Sequence, residues 1–406
     1  MKRKKMIAAD KICADQLFLR ESASLVSLLL VCQSVMLPDL SSAGATHDPT
    51  IPGCMSTSLT QKGKPTPISH RRGIAMQTKN FANTGELVSE LNLGTMMFGG
   101  RCDEAEADRI LGLAIERGVN FIDTAAGYGN GLTEEILGRI MQGGRREKLF
   151  VTTKVNKGVD RASILSSIDE SLQRMQTDFV DLYLIHWPVE GMNPTEIMGA
   201  LNEVVASGKA RYVGCCNFPA WLLAHHNAIA AANGWPRLIN NQIAYNIIER
   251  GVEVEIFPQA VAENIAITAY RSLVQGLLTG KYRWGKPLPE NTRGQTSPQI
   301  ITWLSQFGES VDRFVAFAEA RGITPTTLAV AWVRHSQAVT APIIGVSSLP
   351  QLEDALDSFD YNLSDKDYEQ VTYLFDTEVK EEGLQRFPGL KYNFPRLRRN
   401  LHLVQG

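Results

Sequence analysis

The stretch VDLYLIHWPVEGMNPTEIMGALNEVVASGKARYVGC, residues 180–215, contains the structural unit that decides the fold. Its two ends, Val180–His186 and Tyr212–Cys215, are short apolar runs typical of buried strands. Between them, NPTE (193–196) combines a helix-capping residue, a first-turn proline and an acid three residues after the cap. Apolar residues then recur at helical spacing until Gly208, which predicts an amphipathic helix between two strands.

The same alternation of strand and helix recurs along most of the chain. Asp103, with Glu106 three residues later, predicts another helix start, and Gly118 predicts the end of that helix. Eight segments have the composition of buried strands: Glu90–Thr95, Phe121–Asp123, Phe150–Lys154, Val180–His186, Tyr212–Cys215, Asn241–Tyr245, Ile265–Tyr270 and Val339–Ile344.

Eight strand–helix units are the number that a closed parallel barrel requires, so we predict an α/β protein with an (α/β)8 TIM-barrel fold. The competing fold is a doubly wound sheet, which usually carries G-x-G-x-x-G after its first strand. Here the first unit offers only Gly99-Gly100, and GNG (129–131) lacks the third glycine and follows the second strand. The barrel is therefore favoured, with its site at the C-terminal ends of the strands.

Composition excludes several functional classes. The chain has 406 residues, of which 41 are Lys or Arg and 43 are Asp or Glu, and its formal charge of -2 predicts no nucleic-acid partner. Six cysteines without a C-x-x-C or Cys/His cluster predict neither a disulfide framework nor a metal site. A reducing, cytoplasmic location is the expectation.

The two ends of the chain differ from the barrel, which we place at residues 76–376. Residues 1–75 contain an apolar run followed by a Ser/Thr/Pro/Gly-rich stretch, and we predict a disordered extension there. Leu25–Val31 and the small residues at 42–45 resemble a signal peptide, which implies export, but the run is too short for a membrane span. The alternative is a translated upstream segment. Residues 377–406 form a C-terminal tail.

Polar side chains collect at the ends of neighbouring predicted strands. Asp123, Lys154 and His186 end the second, third and fourth strands, and Tyr128 follows Asp123 by five residues. Strand ends converge on one barrel mouth, so these side chains can meet there. A nearby ammonium favours the phenolate and lowers the pKa of a tyrosine from about 10 toward neutrality, where the phenol becomes a useful acid.

This pattern predicts catalysis at a carbonyl group. In it, Tyr128 is the general acid, Asp123 holds Lys154 charged, and His186 orients the carbonyl oxygen. Each residue also has an ordinary structural explanation. Asp123 could be a cap, Tyr128 a loop aromatic, Lys154 a snorkelling lysine and His186 a hydrogen-bonded core histidine.

Six motifs, in order, resemble the aldo-keto reductase family. They are FIDTAAGYG (121–129), VTTK (151–154), DLYLIHWP (181–188), VGCCNF (213–218), YRSLVQGLLTGKY (270–282) and PIIG (342–345). The resemblance runs from about residue 76 to residue 359. It implies an (α/β)8 barrel that binds a nicotinamide dinucleotide across its mouth. It also implies hydride transfer between C4 of the nicotinamide and a carbonyl or alcohol.

The resemblance also implies residue roles. Asp123, Tyr128, Lys154 and His186 match the catalytic tetrad of the family without substitution. Asn217 and Gln242 match the residues that hold the nicotinamide carboxamide, and Tyr270 matches the ring that stacks on the nicotinamide. The same comparison places further residues in the cofactor site: Leu273, Gly276, Lys281, Arg293, Gly345, Ser347 and Gln351.

Two departures from the family pattern affect the site. Cys216 stands where many members have Ser, next to Cys215, and Arg271 interrupts the usual Tyr-Ser-Pro-Leu. Cys216 could be a catalytic thiol, but no base is specified beside it, so a small buried residue is expected.

Cofactor preference depends on cations near the adenosine. Many NADP-using members carry Arg or Lys after the eighth strand, yet residues 345–356 contain neither. Lys281 and Arg293, in the long loop after the seventh strand, could bind a 2′-phosphate instead, or be ordinary solvated residues. We predict NADP, with NAD as the alternative.

The substrate is expected to be a small carbonyl compound or alcohol: an aldehyde, a ketone or a sugar. Trp187 and Trp284 could form an apolar pocket wall or simply be packed. An alternative function is a nicotinamide-sensing regulatory subunit with slow turnover, like the potassium-channel β subunits. Oligomeric state is not predicted.

Overall fold

The computed structural model describes residues 76–290 and 292–376. The strands of the described residues are β1 (Thr78–Asn80), β2 (Leu87–Ser89), β3 (Asn92–Gly94), β4 (Phe121–Asp123), β5 (Phe150–Lys154), β6 (Val180–Ile185), β7 (Ala210–Cys216), β8 (Leu238–Ala244), β9 (Ala266–Tyr270) and β10 (Val339–Gly345). Eight of them are parallel and form a closed barrel in the order β10-β3-β4-β5-β6-β7-β8-β9. This confirms the predicted fold.

Helices surround the barrel and alternate with its strands. In the described residues they are α1 (Glu104–Glu116), α2 (Leu132–Ile140), α3 (Arg161–Met175), α4 (Pro194–Ala206), α5 (Ala220–Asn233), α6 (Ile256–Glu263), α7 (Pro298–Ala320), α8 (Pro325–His335), α9 (Leu349–Asp357) and α10 (Asp365–Asp376). None of them is long and apolar enough to cross a membrane.

Capping residues begin the helices where the sequence predicts. The Asp103 carboxylate accepts a hydrogen bond from the Glu106 backbone N–H at 2.8 Å, which starts α1. The Asn193 side chain accepts from the backbone N–H groups of Thr195 and Glu196, which starts α4. These bonds satisfy N–H groups that have no partner within the helix.

The strands separate two apolar layers. Residues paired across parallel strands share a face, and Asp123 pairs with Thr152 in the register of β4 and β5. Side chains two positions apart on a strand point to the same face of the sheet. Phe121 therefore points into the barrel with Asp123, and Phe150 points into it with Lys154. The second layer, between strands and helices, contains the larger hydrophobic core, which includes Ile122 and Val151.

A hairpin of β1 and β2 packs at the N-terminal end of the barrel, and the sequence analysis missed it. Phe81 lies in the turn between β1 and β2, and its ring centroid is 5.7 Å from that of Phe121 and 4.9 Å from that of Phe150. Val88 belongs to the same buried cluster. Strands of three residues are too short to show a period, which is why these two were missed.

Several strand bounds also differ from the prediction. The first barrel strand begins at Asn92 rather than Glu90, and β7 and β8 begin earlier, at Ala210 and Leu238. The predicted extension (1–75), its signal-like segment and the tail (377–406) lie outside the described residues. The division of the chain into these parts stays a prediction.

Candidate active site

Three neighbouring strands place the predicted catalytic side chains at the C-terminal end of the barrel. Asp123 and Lys154 are the last residues of β4 and β5, and His186 follows β6 directly. Tyr128 begins a short 3-10 turn, Tyr128–Gly131, between β4 and α2. The turn contains left-handed residues, with φ of 56° at Gly129, which reverse the chain and keep Tyr128 over the strand ends.

Lys154 is completely buried, and its ammonium contacts three groups. Its Nζ donates to both carboxylate oxygens of Asp123 at 2.8 Å and to the backbone carbonyl of Thr124 at 2.7 Å, and lies 3.4 Å from the Tyr128 hydroxyl. Burial is the largest single influence and lowers the pKa of Lys154, but the Asp123 carboxylate, with smaller contributions from Tyr128 and Cys216, raises that pKa above its ordinary value. The site therefore holds a charged lysine beside the phenol.

The pKa of Tyr128 is raised above its ordinary value, not lowered. Burial is the largest cause; the Lys154 ammonium lowers this pKa, and the Asp123 carboxylate raises it again. The prediction of a pKa brought toward neutrality by Lys154 is therefore wrong for this site. The ammonium reduces the effect of burial without overcoming it.

His186 is uncharged at neutral pH in this environment. Burial and the nearby Lys154 ammonium lower the pKa of His186 to about 4. Its ring meets the Tyr128 ring edge-on with centroids 6.2 Å apart. A neutral imidazole beside the phenol can donate one N–H to an oxygen atom between them.

A cavity of about 570 Å³ opens over these residues. Thirteen of the fourteen predicted site residues line it: Asp123, Tyr128, His186, Asn217, Gln242, Tyr270, Leu273, Gly276, Lys281, Arg293, Gly345, Ser347 and Gln351. Lys154 lies behind Asp123 and Tyr128. The structure thus brings together residues that are separated by more than two hundred positions in the sequence.

Two amide side chains are fixed at the floor of this cavity. Tyr270 donates its hydroxyl to Asn217 Oδ1 at 2.7 Å, and Gln242 Nε2 donates to Asp123 Oδ1 at 2.7 Å. Each amide keeps a further donor and acceptor capacity for a ligand. Burial raises the pKa of Tyr270 to about 12, so its ring stays neutral.

Comparison with known proteins identifies the family. The profile of the Aldo/keto reductase family matches residues 90–375. The chain is 33% identical over 308 residues to the uncharacterized oxidoreductase YrpG of Bacillus subtilis, covering 71% of this chain and 92% of that protein. It is 31% identical over 315 residues to norsolorinic acid reductase B of Aspergillus parasiticus, covering 71% of this chain and 82% of that protein.

The chain belongs to the aldo/keto reductase family. It is an NAD(P)-dependent oxidoreductase, as the sequence predicts. A probable voltage-gated potassium channel subunit beta of Arabidopsis thaliana is also similar, 31% identical over 301 residues, with 70% of this chain and 92% of that protein covered. In the described residues of this aldo/keto reductase, no group of three or more His, Cys, Asp or Glu side chains could hold a metal ion.

The adjacent cysteines Cys215 and Cys216 of the reductase are packing residues. Cys215 and Cys216 are fully buried, and burial raises both thiol pKa values far above the ordinary value. A protonated thiol is a weak nucleophile, so the expectation of a small buried residue at 216 agrees with the structure.

The predicted pocket walls are only partly right. Trp187 lines the cavity of the reductase and is 54% exposed. Trp284 is not among the described lining residues; it packs against α7, where a Cβ at Gly308 would lie 2.2 Å from its ring. Sequence reasoning also missed the loop after β3, which contributes Met96, Met97 and Arg101. Because active sites of such barrels lie at the C-terminal ends of the strands, the loop after β3 could also have been predicted to line the site.

Proposed function

We propose that this aldo/keto reductase reduces small aldehydes, ketones or sugar carbonyls with NADPH, and catalyses the reverse oxidation. The single observation that carries the proposal is the shared cavity, in which Tyr128 and His186 face the same space as the fixed amides of Asn217 and Gln242. Its volume lies in the range of about 300–1,000 Å³ that small-molecule and cofactor sites occupy.

The cavity chemistry fits a nicotinamide dinucleotide. The half-buried Tyr270 ring offers a flat face, and Asn217 and Gln242 offer donors and acceptors for a carboxamide. Lys281 and Arg293 offer positive charge for phosphate groups further along the cavity. When bound, the cofactor supplies a hydride from C4 of its nicotinamide ring.

Tyr128 is the general acid in this proposal. Its hydroxyl lies at the cavity, while the Lys154 ammonium stands 3.4 Å behind it. As a carbonyl becomes an alkoxide, the phenol transfers its proton to the oxygen, and the ammonium stabilises the phenolate that remains. A raised resting pKa keeps the phenol protonated and ready to donate.

Asp123 and His186 support this transfer in different ways. Asp123 keeps Lys154 charged and in place through two hydrogen bonds of 2.8 Å. Neutral His186 donates to the carbonyl oxygen and orients it toward the phenol. Both side chains act on the position of the reacting atoms, which determines much of the rate.

A steady-state screen of NADPH and NADH against a panel of aldehydes, ketones and sugars tests the proposal. Repeated turnover on any small carbonyl compound, with NADPH preferred, is the expected result. Tight cofactor binding with only slow single turnovers would instead favour the alternative predicted from the sequence, a nicotinamide-sensing regulatory subunit. A preference for NADH would overturn the assignment of NADP.

A further inference from the structure

The interior of the barrel contains a polar layer just inside the C-terminal ends of the strands. Its residues lie two positions before the last residue of the alternate strands β3, β5, β7 and β9: Asn92, Thr152, Gly214 and Thr268. Barrels of this fold are filled by layers of four residues from alternate strands, and branched apolar side chains dominate these layers. This polar layer instead has an amide and two hydroxyl groups.

Strand register shows that the polar layer points inward. Asn92 is the register partner of Phe121, and Thr152 is the partner of Asp123, and both partners face the barrel interior. Asn92 and Thr152 are buried, with exposed fractions of 0% and 1%. Their polar atoms are therefore out of reach of bulk solvent.

Two side chains of the polar layer have unpaired hydrogen-bonding atoms. Asn92 Nδ2 and Oδ1 and Thr152 Oγ1 have no hydrogen-bond partner among the described residues. Thr268 differs, because its hydroxyl accepts from Asn240 Nδ2 at 3.3 Å. A buried amide or hydroxyl without a partner destabilises the folded state, so a small polar ligand is expected between Asn92 and Thr152.

The spacing of the strands favours water as this ligand. β4 separates β3 from β5, and neighbouring strands lie about 4.8 Å apart, so the Cα atoms of Asn92 and Thr152 are roughly 10 Å apart. Two short side chains do not close such a gap directly. An amide needs a donor and an acceptor as partners, and water supplies both.

The polar layer lies immediately below the Asp123–Lys154 ion pair, on the side of the N-terminal end of the barrel. Thr152 lies beside Asp123 in the register of β4 and β5 and precedes Lys154 by two residues, so the three side chains share the inner face. The Asp123 carboxylate accepts from Lys154 at both oxygens and from Gln242 at Oδ1. An ionised carboxylate has about four acceptor sites, so Oδ2 can accept a further hydrogen bond from below.

We infer that Asn92 and Thr152 bind ordered water inside the barrel. The water donates to Asp123 and holds its ion pair with Lys154 in place from below. Asn92 and Thr152 are then positioning residues, because they act on the general acid only through this ion pair. The positioning role rests on the proposed function, whereas the water site follows from the unpaired atoms alone.

Thr152→Val in the full-length protein tests the water site, because valine keeps the shape of threonine and removes its hydroxyl. The water and Asn92 would lose a partner, so the denaturant midpoint of unfolding should fall. A hydroxyl that is merely unpaired gives the opposite result, since an apolar group of the same shape then relieves its burial. An unchanged or higher midpoint would therefore overturn the inference.

Two further measurements sharpen this test. Thr152→Ser restores a hydroxyl and should recover most of the wild-type midpoint. A crystal structure of the wild-type protein should show an ordered water within hydrogen-bond distance of Thr152 Oγ1 and of the Asn92 amide. A dry layer, in which both side chains bond to protein groups, would overturn the inference.

Kinetics of the same variants test the positioning role. In Thr152→Val, kcat for carbonyl reduction should fall by about threefold to thirtyfold, and NADPH affinity should change by less than about twofold, because the water contacts the ion pair and not the cofactor. Without the water, the Asp123 carboxylate acts more strongly on Tyr128 and raises its pKa. The alkaline limb of the pH–rate profile should therefore move to higher pH, and Thr152→Ser should reverse both changes.

Thr153→Val is the matched control. Thr153 is the next residue of β5 and is equally buried, but it points to the opposite face, where its hydroxyl donates to Glu134 at 2.6 Å. This variant should lower the unfolding midpoint and leave kcat per folded molecule and the alkaline limb unchanged. An equal loss of kcat in the two variants, or no loss in Thr152→Val, would overturn the positioning role.

Failure of the proposed function gives a different result. A wild-type protein that reduces no carbonyl compound would reject the proposed function, and the positioning role with it. The unfolding midpoint of Thr152→Val and the crystal structure would still decide whether the barrel binds water at Asn92 and Thr152.

Discussion

The two ends of the barrel are built from opposite kinds of side chain on the same strands. β4 begins with Phe121 and ends with Asp123; β5 begins with Phe150 and ends with Lys154. At the N-terminal end, the phenylalanines pack with Phe81 from the hairpin and exclude water. At the C-terminal end, charged groups face an open cavity. Stability and chemistry are thus separated along strands only three to five residues long.

This separation predicts that the apolar end can be weakened without changing the chemistry. Phe121→Ala should lower the free energy of unfolding by about 3 to 5 kcal/mol, because Phe121 is fully buried among aromatic rings. Denaturant unfolding measures the loss. Activity per folded molecule should stay near the wild-type value.

Leu87→Ala is the control at the same end of the barrel, since Leu87 is 55% exposed and should cost less than about 0.5 kcal/mol. A large loss of activity per folded Phe121→Ala molecule would show that the two ends are coupled.

At the polar end, Lys154→Met should change both chemistry and stability. In the proposed mechanism, carbonyl reduction needs the protonated phenol of Tyr128. The ammonium favours the phenolate, so removal of the ammonium raises the pKa of Tyr128 further. The alkaline limb of the pH–rate profile for reduction should therefore move to higher pH by about one to three units. The profile of kcat/KM against pH measures this shift.

The same change leaves Asp123 buried without its cation, which should cost about 3 to 5 kcal/mol of stability. Adding Asp123→Asn should recover part of that stability but not the rate. An alkaline limb that stays in place in Lys154→Met would contradict the assigned electrostatic role.

The sequence predicts the polar end of the barrel far better than the apolar end. Asp123, Lys154 and His186 are found because each lies at the C-terminal end of an apolar strand, and these strand ends must converge. The hairpin at Phe81 is missed because its strands have three residues and show no period. The direction of the Tyr128 pKa is missed as well, since burial depends on the whole fold and local sequence gives only the charged neighbours.

Changes to the cations that line the cofactor cavity should have a smaller effect than the change at Lys154. Lys281→Met and Arg293→Met, made singly, should each weaken NADPH binding by about 1.5 to 3 kcal/mol and NADH binding far less. Titration of each variant with both nucleotides measures the difference. Equal weakening for the two nucleotides would place these cations away from the 2′-phosphate.

The smallest effect concerns His186. Because its pKa lies at about 4, below the ordinary 6.5, the imidazole is already neutral when solution pH reaches the usual assay range. The value of kcat/KM should show no His186 inflection between about pH 5.5 and about pH 8. An inflection in this range that disappears in His186→Gln would show that the histidine titrates during catalysis.

The central claim is that the C-terminal end of the barrel performs acid catalysis through the Tyr128 hydroxyl, and Tyr128→Phe tests it most directly. The change removes one oxygen and keeps the ring, so NADPH affinity and unfolding free energy should hardly change. Turnover should fall by a factor of about 10² to 10⁴, and adding Lys154→Met should lower it little further. Near wild-type turnover of Tyr128→Phe, on a substrate whose chemical step limits the rate, would contradict the claim.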